Sequence, residues 1–373
     1  MDRRKFLKTT GAASMLTCSG LGSMLMELHA FSQNANLSKV EARFYNKHPD
    51  REIECTLCPR FCKLGDKERG YCGVRENMGG TYYTLVYGKA CSMHIDPIEK
   101  KPLFHYLPSS NAFSIATAGC NVNCKFCQNW EISQVRPEQI RHVDLPPEAV
   151  VLTAERNNCP VIAYTYSEPV VFYEYMFDTA QLARNKNIKN AVITGAHINP
   201  EPLKKLIEVV DAIKVDLKAF TQDFYTQYVR GELQPVLDAI KLIAKSNVWL
   251  EIVYLVIPTL NDKPSEIRQL SRWLLREVGP DVPVHFSRFQ PMYLMKNLPP
   301  TPISTLVDAH DVAKQEGLRY VYIGNVPGHK YENTICPQCQ NTIIERIQYH
   351  IRKNDIHGGK CPFCGNPIPG IWA

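Results

Sequence analysis

Gly119 to Asn129 reads GCNVNCKFCQN, with Cys120, Cys124 and Cys127 in a Cys-x3-Cys-x2-Cys spacing and Phe126 just before the last cysteine. Three closely spaced thiolates on a loop can hold three irons of a [4Fe–4S] cube, leaving the fourth iron open to a small molecule. Zinc sites usually want four ligands from two Cys-x2-Cys pairs, so three cysteines with a wide first gap fit zinc poorly. Buried structural thiols are the plain alternative.

Working outward, the 373-residue chain is long enough for one large α/β domain with small appendages. Basic and acidic residues are mixed throughout and net charge is only +6, which gives no reason to expect a nucleic-acid partner. Of the 14 cysteines, 12 fall in three groups. The first is Cys55, Cys58, Cys62 and Cys72, with Cys91 nearby. The second is the Cys120 triad. The third is Cys336, Cys339, Cys361 and Cys364. Short Cys-x2-Cys gaps suit metals better than disulfides, so a reduced metalloprotein is expected.

Residues 1–35 read as a targeting segment. Arg3-Arg4-Lys5-Phe6-Leu7-Lys8 is similar to a twin-arginine signal, and a short run rich in small residues follows from Thr9 to Met26. The expectation is export of the folded protein by the Tat route, to the periplasm or cell envelope. The alternative is a cytoplasmic protein whose signal is not used. No stretch is long and apolar enough for a transmembrane span.

Residues 36–111 form a cysteine-rich module, Cys55-x2-Cys58-x3-Cys62-x9-Cys72, able to hold zinc or a second cluster; spacing does not decide between them. Asp96 to Pro102 (DPIEKKP) is either a lip over an active site or a solvated loop. From 112 to 328 short apolar strands alternate with helices. Strands are expected at 112–117, 161–166, 191–194, 212–217, 249–257, 283–289 and 319–324. Helices are expected at 147–157, 170–186, 201–209 and 305–316, and a long dented one at 222–246. This is the pattern of parallel βα units. About six of them make an α/β partial (β/α)6 barrel, open on one side. Chemistry in such barrels gathers at the C-terminal strand ends, where Glu168, Thr194, Asp216, Lys218, Asn261 and His285 lie. Residues 329–373 carry two Cys-Pro-x-Cys knuckles, a zinc-ribbon pattern with rubredoxin-type iron as the alternative.

From Cys55 to the C-terminus, about five-sixths of its length, the chain resembles the radical SAM enzymes of the AmmeMemoRadiSam system, relatives of the pyruvate formate-lyase activating enzymes. The resemblance rests on CTLCPRFC, DPIEKKPLFHYLP, GCNVNCKFCQNWEIS, AYTYSEP, VDLKAF, PVHFSRFQP, PPTP, YIGNV and the terminal ribbon. It implies that Cys120, Cys124 and Cys127 hold a [4Fe–4S] cluster whose open iron takes the amino and carboxylate groups of S-adenosylmethionine. It implies that Glu168 accepts from the methionine amino group, although Tyr166-Ser167 stands where related enzymes have two glycines. Asp216 and Lys218 are implied near the methionyl carboxylate, His285 near the adenosine, and Phe126 against the adenine.

The implied chemistry is one-electron cleavage of S-adenosylmethionine to a 5′-deoxyadenosyl radical that takes hydrogen from a substrate. The resemblance also implies an electron donor and makes Memo-like and Amme-like proteins candidate partners. A glycyl-radical activating enzyme is the second enzymatic reading, disfavoured because the extra cysteines precede the triad. A multi-metal electron carrier or scaffold is the non-enzymatic one. There is no phosphate-binding loop of the P-loop or dinucleotide type and no nucleophile elbow.

Overall fold

The computed structural model describes residues 36–372, so the twin-arginine-like segment lies outside the described residues. Runs such as Val161–Tyr164, buried at every position, make strands covered on both faces. Eight strands form one sheet in strict chain order: β1 (Ser92–Pro97), β2 (Asn111–Ala116), β3 (Val161–Tyr164), β4 (Lys189–Thr194), β5 (Ala212–Leu217), β6 (Trp249–Val256), β7 (Val284–Arg288) and β8 (Val321–Gly324). Strands β2 to β8 pair in parallel, whereas β1 is antiparallel to β2. β1 and β8 lie at opposite ends of the pairing order, so the sheet is not closed.

Six helices connect the parallel strands: α1 (Pro147–Arg156), α2 (Tyr173–Arg184), α3 (Pro200–Ile207), α4 (Leu233–Ala244), α5 (Pro264–Glu277) and α6 (Ile303–Glu316). Proline opens α1, α3 and α5, at the helical position that needs no N–H partner. The architecture is therefore six βα units and a seventh parallel strand, the open α/β barrel expected.

Three expectations are corrected. The sheet begins at β1, inside the segment read as the cysteine-rich module. Helix α5 was not anticipated. The long helix over 222–246 is broken: a short helical piece at Gln222–Phe224 runs into a π turn at Tyr225–Val229, and Arg230 takes a left-handed φ of 61°. Pro235 then sits in the first turn of α4, where it removes no helical hydrogen bond. The break has a use. The carbonyls of Val229 and Tyr228 accept the N–H groups of Asn123 and Lys125 at 2.9 and 2.8 Å, clamping the cysteine loop.

The C-terminal module is a three-stranded antiparallel sheet, β9 (Thr334–Ile335), β10 (Thr342–Ile347) and β11 (His350–Asn354). It docks on the strap 104–107. Arg346, 2% exposed, donates to the Phe104 carbonyl at 2.9 Å and its guanidinium lies 4.3 Å from the Phe104 ring centroid. Ile371 exchanges backbone hydrogen bonds with His105 and Leu107.

Candidate active site

The loop after β2 carries the cysteine triad. Gly119 starts it with φ of +95°, and a Cβ there would stand 2.5 Å from Val74 Cγ1 and 2.7 Å from the Cys72 carbonyl oxygen. Only glycine fits both that conformation and that approach. The three cysteines line one cavity of about 480 Å³. Burial pushes the Cys124 thiol up to about 12, with the nearby Lys218 charge acting in the other direction. Phe126, buried beside them, packs on Phe224 at 5.7 Å.

Glu168, Asp216, Lys218 and His285 line the same cavity. Glu168 is fixed by three donors: the Thr194 hydroxyl at 2.5 Å, the Gly195 N–H at 2.8 Å and the Val170 N–H at 3.2 Å. Burial holds its carboxyl above the ordinary range despite those donors. Tyr166 adopts φ of 63°, the left-handed conformation a glycine takes freely. Its carbonyl accepts from Asn129 Nδ2 at 2.8 Å, and its hydroxyl donates to Asp96.

Lys214 and Asp216 alternate along β5 and Lys218 follows its last residue, so the three share one face. Asp216 pairs with Lys214 and, at 3.3 Å, with Lys218. Burial opposes its ionisation, but the two lysine charges outweigh it and hold the carboxyl below the usual range. The Lys218 ammonium is held above its ordinary range: burial opposes the charge, and Asp216 and Cys124 overcome it. His285 donates from Nε2 to the Glu251 carboxylate at 2.7 Å, while Nδ1, also buried, has no hydrogen-bond partner. Burial lowers the ring below the usual imidazole range.

The Asp96–Pro102 segment is no solvated loop. Asp96, Glu99 and Lys101 are buried. Lys101 bonds Asp96 and Ser114, both at 2.6 Å. Burial pushes Lys101 down to about 8. Glu99, Lys100 and Lys101 line the cavity, as do Gln348 and Tyr349 at the β10–β11 turn. The ribbon thus forms part of the wall. Lys214 and Glu251 were missed by the sequence reading, although each is a charge inside an otherwise apolar stretch. Asn261 has a different place: it is fully buried and caps the backbone at Ile257, Lys218 and Leu255.

In the ribbon, the Cys336–Cys364 and Cys339–Cys361 sulfurs lie 3.6 Å apart, and all four sulfurs lie within 4.8 Å of one another. Left-handed residues, Gln340 and Gly365, turn the chain after each knuckle. The four thiols of Cys55, Cys58, Cys62 and Cys72 line a separate, smaller cavity; Cys91 is not on its walls.

A cysteine triad on the loop after the first parallel strand, facing acids and lysines from the following strand ends, defines a class of protein. The chain belongs to the radical SAM superfamily, an enzyme superfamily, whose family model ("Radical SAM superfamily") matches residues 114–271. Over 330 residues it is 46% identical to the uncharacterised protein MJ0808 of Methanocaldococcus jannaschii, covering 88% of this chain and 98% of that one, so the two share a family. It is 22% identical over 165 residues to the pyruvate formate-lyase 1-activating enzyme of Escherichia coli (strain K12), covering 43% of this chain and 67% of the enzyme. A solved radical SAM methyltransferase from Sphaerobacter thermophilus aligns with a TM-score of 0.47 at 16% identity, over 59% of this chain and 68% of that chain.

Proposed function

We propose that this protein is a radical SAM enzyme of the AmmeMemoRadiSam type that cleaves S-adenosylmethionine and draws hydrogen from a substrate. The observation that carries the reading is the convergence of Cys120, Cys124, Cys127, Glu168, Asp216, Lys218 and His285 on one cavity. The triad fits a cluster, because three thiols on one cavity wall can hold three irons of a [4Fe–4S] cube and leave the fourth open. A [4Fe–4S] cluster held by these three thiols would supply one electron to the sulfonium of S-adenosylmethionine, whose C5′–S bond would break to give methionine and a 5′-deoxyadenosyl radical.

The chain's own residues do the rest. Glu168, held by Thr194 and Gly195, presents a carboxylate to the methionine amino group. Lys218 offers its ammonium to the methionyl carboxylate, and Asp216 holds that ammonium in place. Phe126 supplies an apolar face for the adenine. The unpartnered His285 Nδ1 provides a polar contact for the adenosine. Glu99, Lys100 and Lys101 on one side and Gln348 and Tyr349 on the other narrow the mouth against water.

The test is anaerobic. The iron- and sulfide-loaded chain, reduced with dithionite, is given S-adenosylmethionine, and 5′-deoxyadenosine and methionine are measured. Formation of both supports the reading; a fully loaded chain that forms neither, with Memo-like and Amme-like proteins added, overturns it. Lys218→Met is expected to weaken S-adenosylmethionine binding about 10- to 100-fold, the worth of one charge-assisted hydrogen bond. Unchanged affinity by anaerobic calorimetry would remove Lys218 from this role.

The similarity to an activating enzyme keeps glycyl-radical activation as a second reading. Under it, a partner enzyme's glycine would be the hydrogen donor, visible as a stable radical signal in the mixture.

Zinc is proposed for the ribbon, whose sulfur separations match the edge of about 3.8 Å that Zn–S bonds of about 2.3 Å impose on a tetrahedron. Elemental analysis should find about one zinc per chain, lost in Cys361→Ser together with protease resistance after residue 328. Iron there in place of zinc would contradict it. Export by the Tat route is likewise proposed for residues 1–35; replacing Arg3-Arg4 by two lysines should retain the protein in the cytoplasm.

A further inference from the structure

The cysteines of the first group stand apart from the site above, and four observations bear on what they hold. Cys55, Cys58, Cys62 and Cys72 surround a single cavity roofed by Tyr82 and Arg75. Here about 20 Å³ stays open.

The second observation is the spacing. Four thiolates bound to one zinc lie about 3.8 Å apart, with no room left between them. The ribbon has that geometry, at 3.6 Å. The first group does not. Its sulfurs form no such single-ion grouping, and neither do those of the Cys120 triad.

The third is the lining. Gly70 allows the closest approach: a Cβ there would stand 2.6 Å from the Tyr82 hydroxyl and 3.8 Å from Cys72 Sγ. The Tyr71 N–H points at Cys62 Sγ at 3.5 Å, a donor for a sulfur that carries negative charge. Arg75, 1% exposed, places its charge near Cys55 and Cys72. Glu174 and the Val171 carbonyl hold that guanidinium in position. A buried cation and an N–H donor suit an anionic, multi-sulfur group.

The fourth is location. Asn121, between Cys120 and Cys124 on the triad's loop, also lines this cavity. The Cys72 carbonyl abuts Gly119 at the start of that loop.

We propose that Cys55, Cys58, Cys62 and Cys72 bind a polynuclear iron–sulfur cluster, and not a single zinc ion, directly behind the triad's loop. The proposal does not rest on S-adenosylmethionine cleavage. The experiment uses the full chain with Cys120, Cys124 and Cys127 all changed to alanine, loaded anaerobically with iron and sulfide. About two or about four irons per chain, with matching sulfide and an electron paramagnetic resonance signal on dithionite reduction, would support it. One iron without sulfide, zinc beyond that of the ribbon, or no metal would overturn it. Should that variant be insoluble, Cys72→Ser supplies the converse in an otherwise intact chain. A loss of about two or four irons relative to the unaltered protein supports the cluster, and unchanged iron overturns it. Failure of the S-adenosylmethionine reading would leave both iron counts as they are.

Discussion

Cys124→Ala is expected to reduce 5′-deoxyadenosine formation at least about a hundredfold. Substitutions in the shell around a metal's ligands already cost about 10- to 100-fold, and Cys124 is placed among the ligands themselves. Its sulfur is buried in the cavity wall, in a tight turn closed by the Cys127 N–H to Cys124 carbonyl bond at 3.1 Å. Alanine preserves that turn, which the backbone makes, and deletes only the thiol. The backbone clamps from Val229 and Tyr228 also remain. The fold should therefore survive while cluster content falls. Cys91→Ala is the matched control. Cys91 is partly exposed and its N–H bonds the Ala116 carbonyl at 2.9 Å, a contact alanine keeps. Product from Cys124→Ala at the Cys91→Ala level would show that the triad is not the reacting centre.

The legible part of this molecule was the part with a short period. Apolar runs of four to six residues between helical segments gave β5 to the residue and β3 and β4 to within two, and βα alternation gave the open barrel. The cysteine spacings marked three groups, two of which the structure resolves into different geometries, one tight and one wide. Long-range pairing left fainter traces. Nothing local says that DPIEKKP turns inward, because the burial of Asp96 and Lys101 depends on partners beyond the segment, Ser114 for Lys101 and, for Asp96, Tyr166, 70 residues further on. The break at Tyr225–Val229 was invisible for a similar reason. Its freed carbonyls find partners on the loop at 123–125, and local propensity knows nothing of that loop. Lys214 and Glu251 were readable in principle: a charge at a buried strand position must have a partner, and cross-strand neighbours Lys214 and Glu251 sit in register on β5 and β6.

Glu251→Ala is expected to destabilise the protein by about 3–5 kcal/mol, because each buried donor left unpaired costs about 1–3 kcal/mol. Glu251 is fully buried and accepts four hydrogen bonds. Its Oε1 takes the His105 N–H at 2.8 Å and Trp249 Nε1–H at 3.0 Å; its Oε2 takes the Phe104 N–H at 3.0 Å and His285 Nε2 at 2.7 Å. Two of these donors belong to the strap 104–107. That strap is the ground on which Arg346, Pro369 and Ile371 of the C-terminal module stand. Removing the carboxylate therefore loosens His285 at the cavity and the ribbon at its edge in one step. The apparent melting temperature should fall by about 5–10 °C, and proteolysis should reach the segment after residue 328 first. Glu251→Gln keeps one acceptor oxygen but turns an NH2 toward two donors, so its loss should be smaller than that of alanine yet clear. A Glu251→Ala protein that melts within about 1 °C of the unaltered chain would mean that these four donors find other partners, and that the strap is not what ties the ribbon to the barrel.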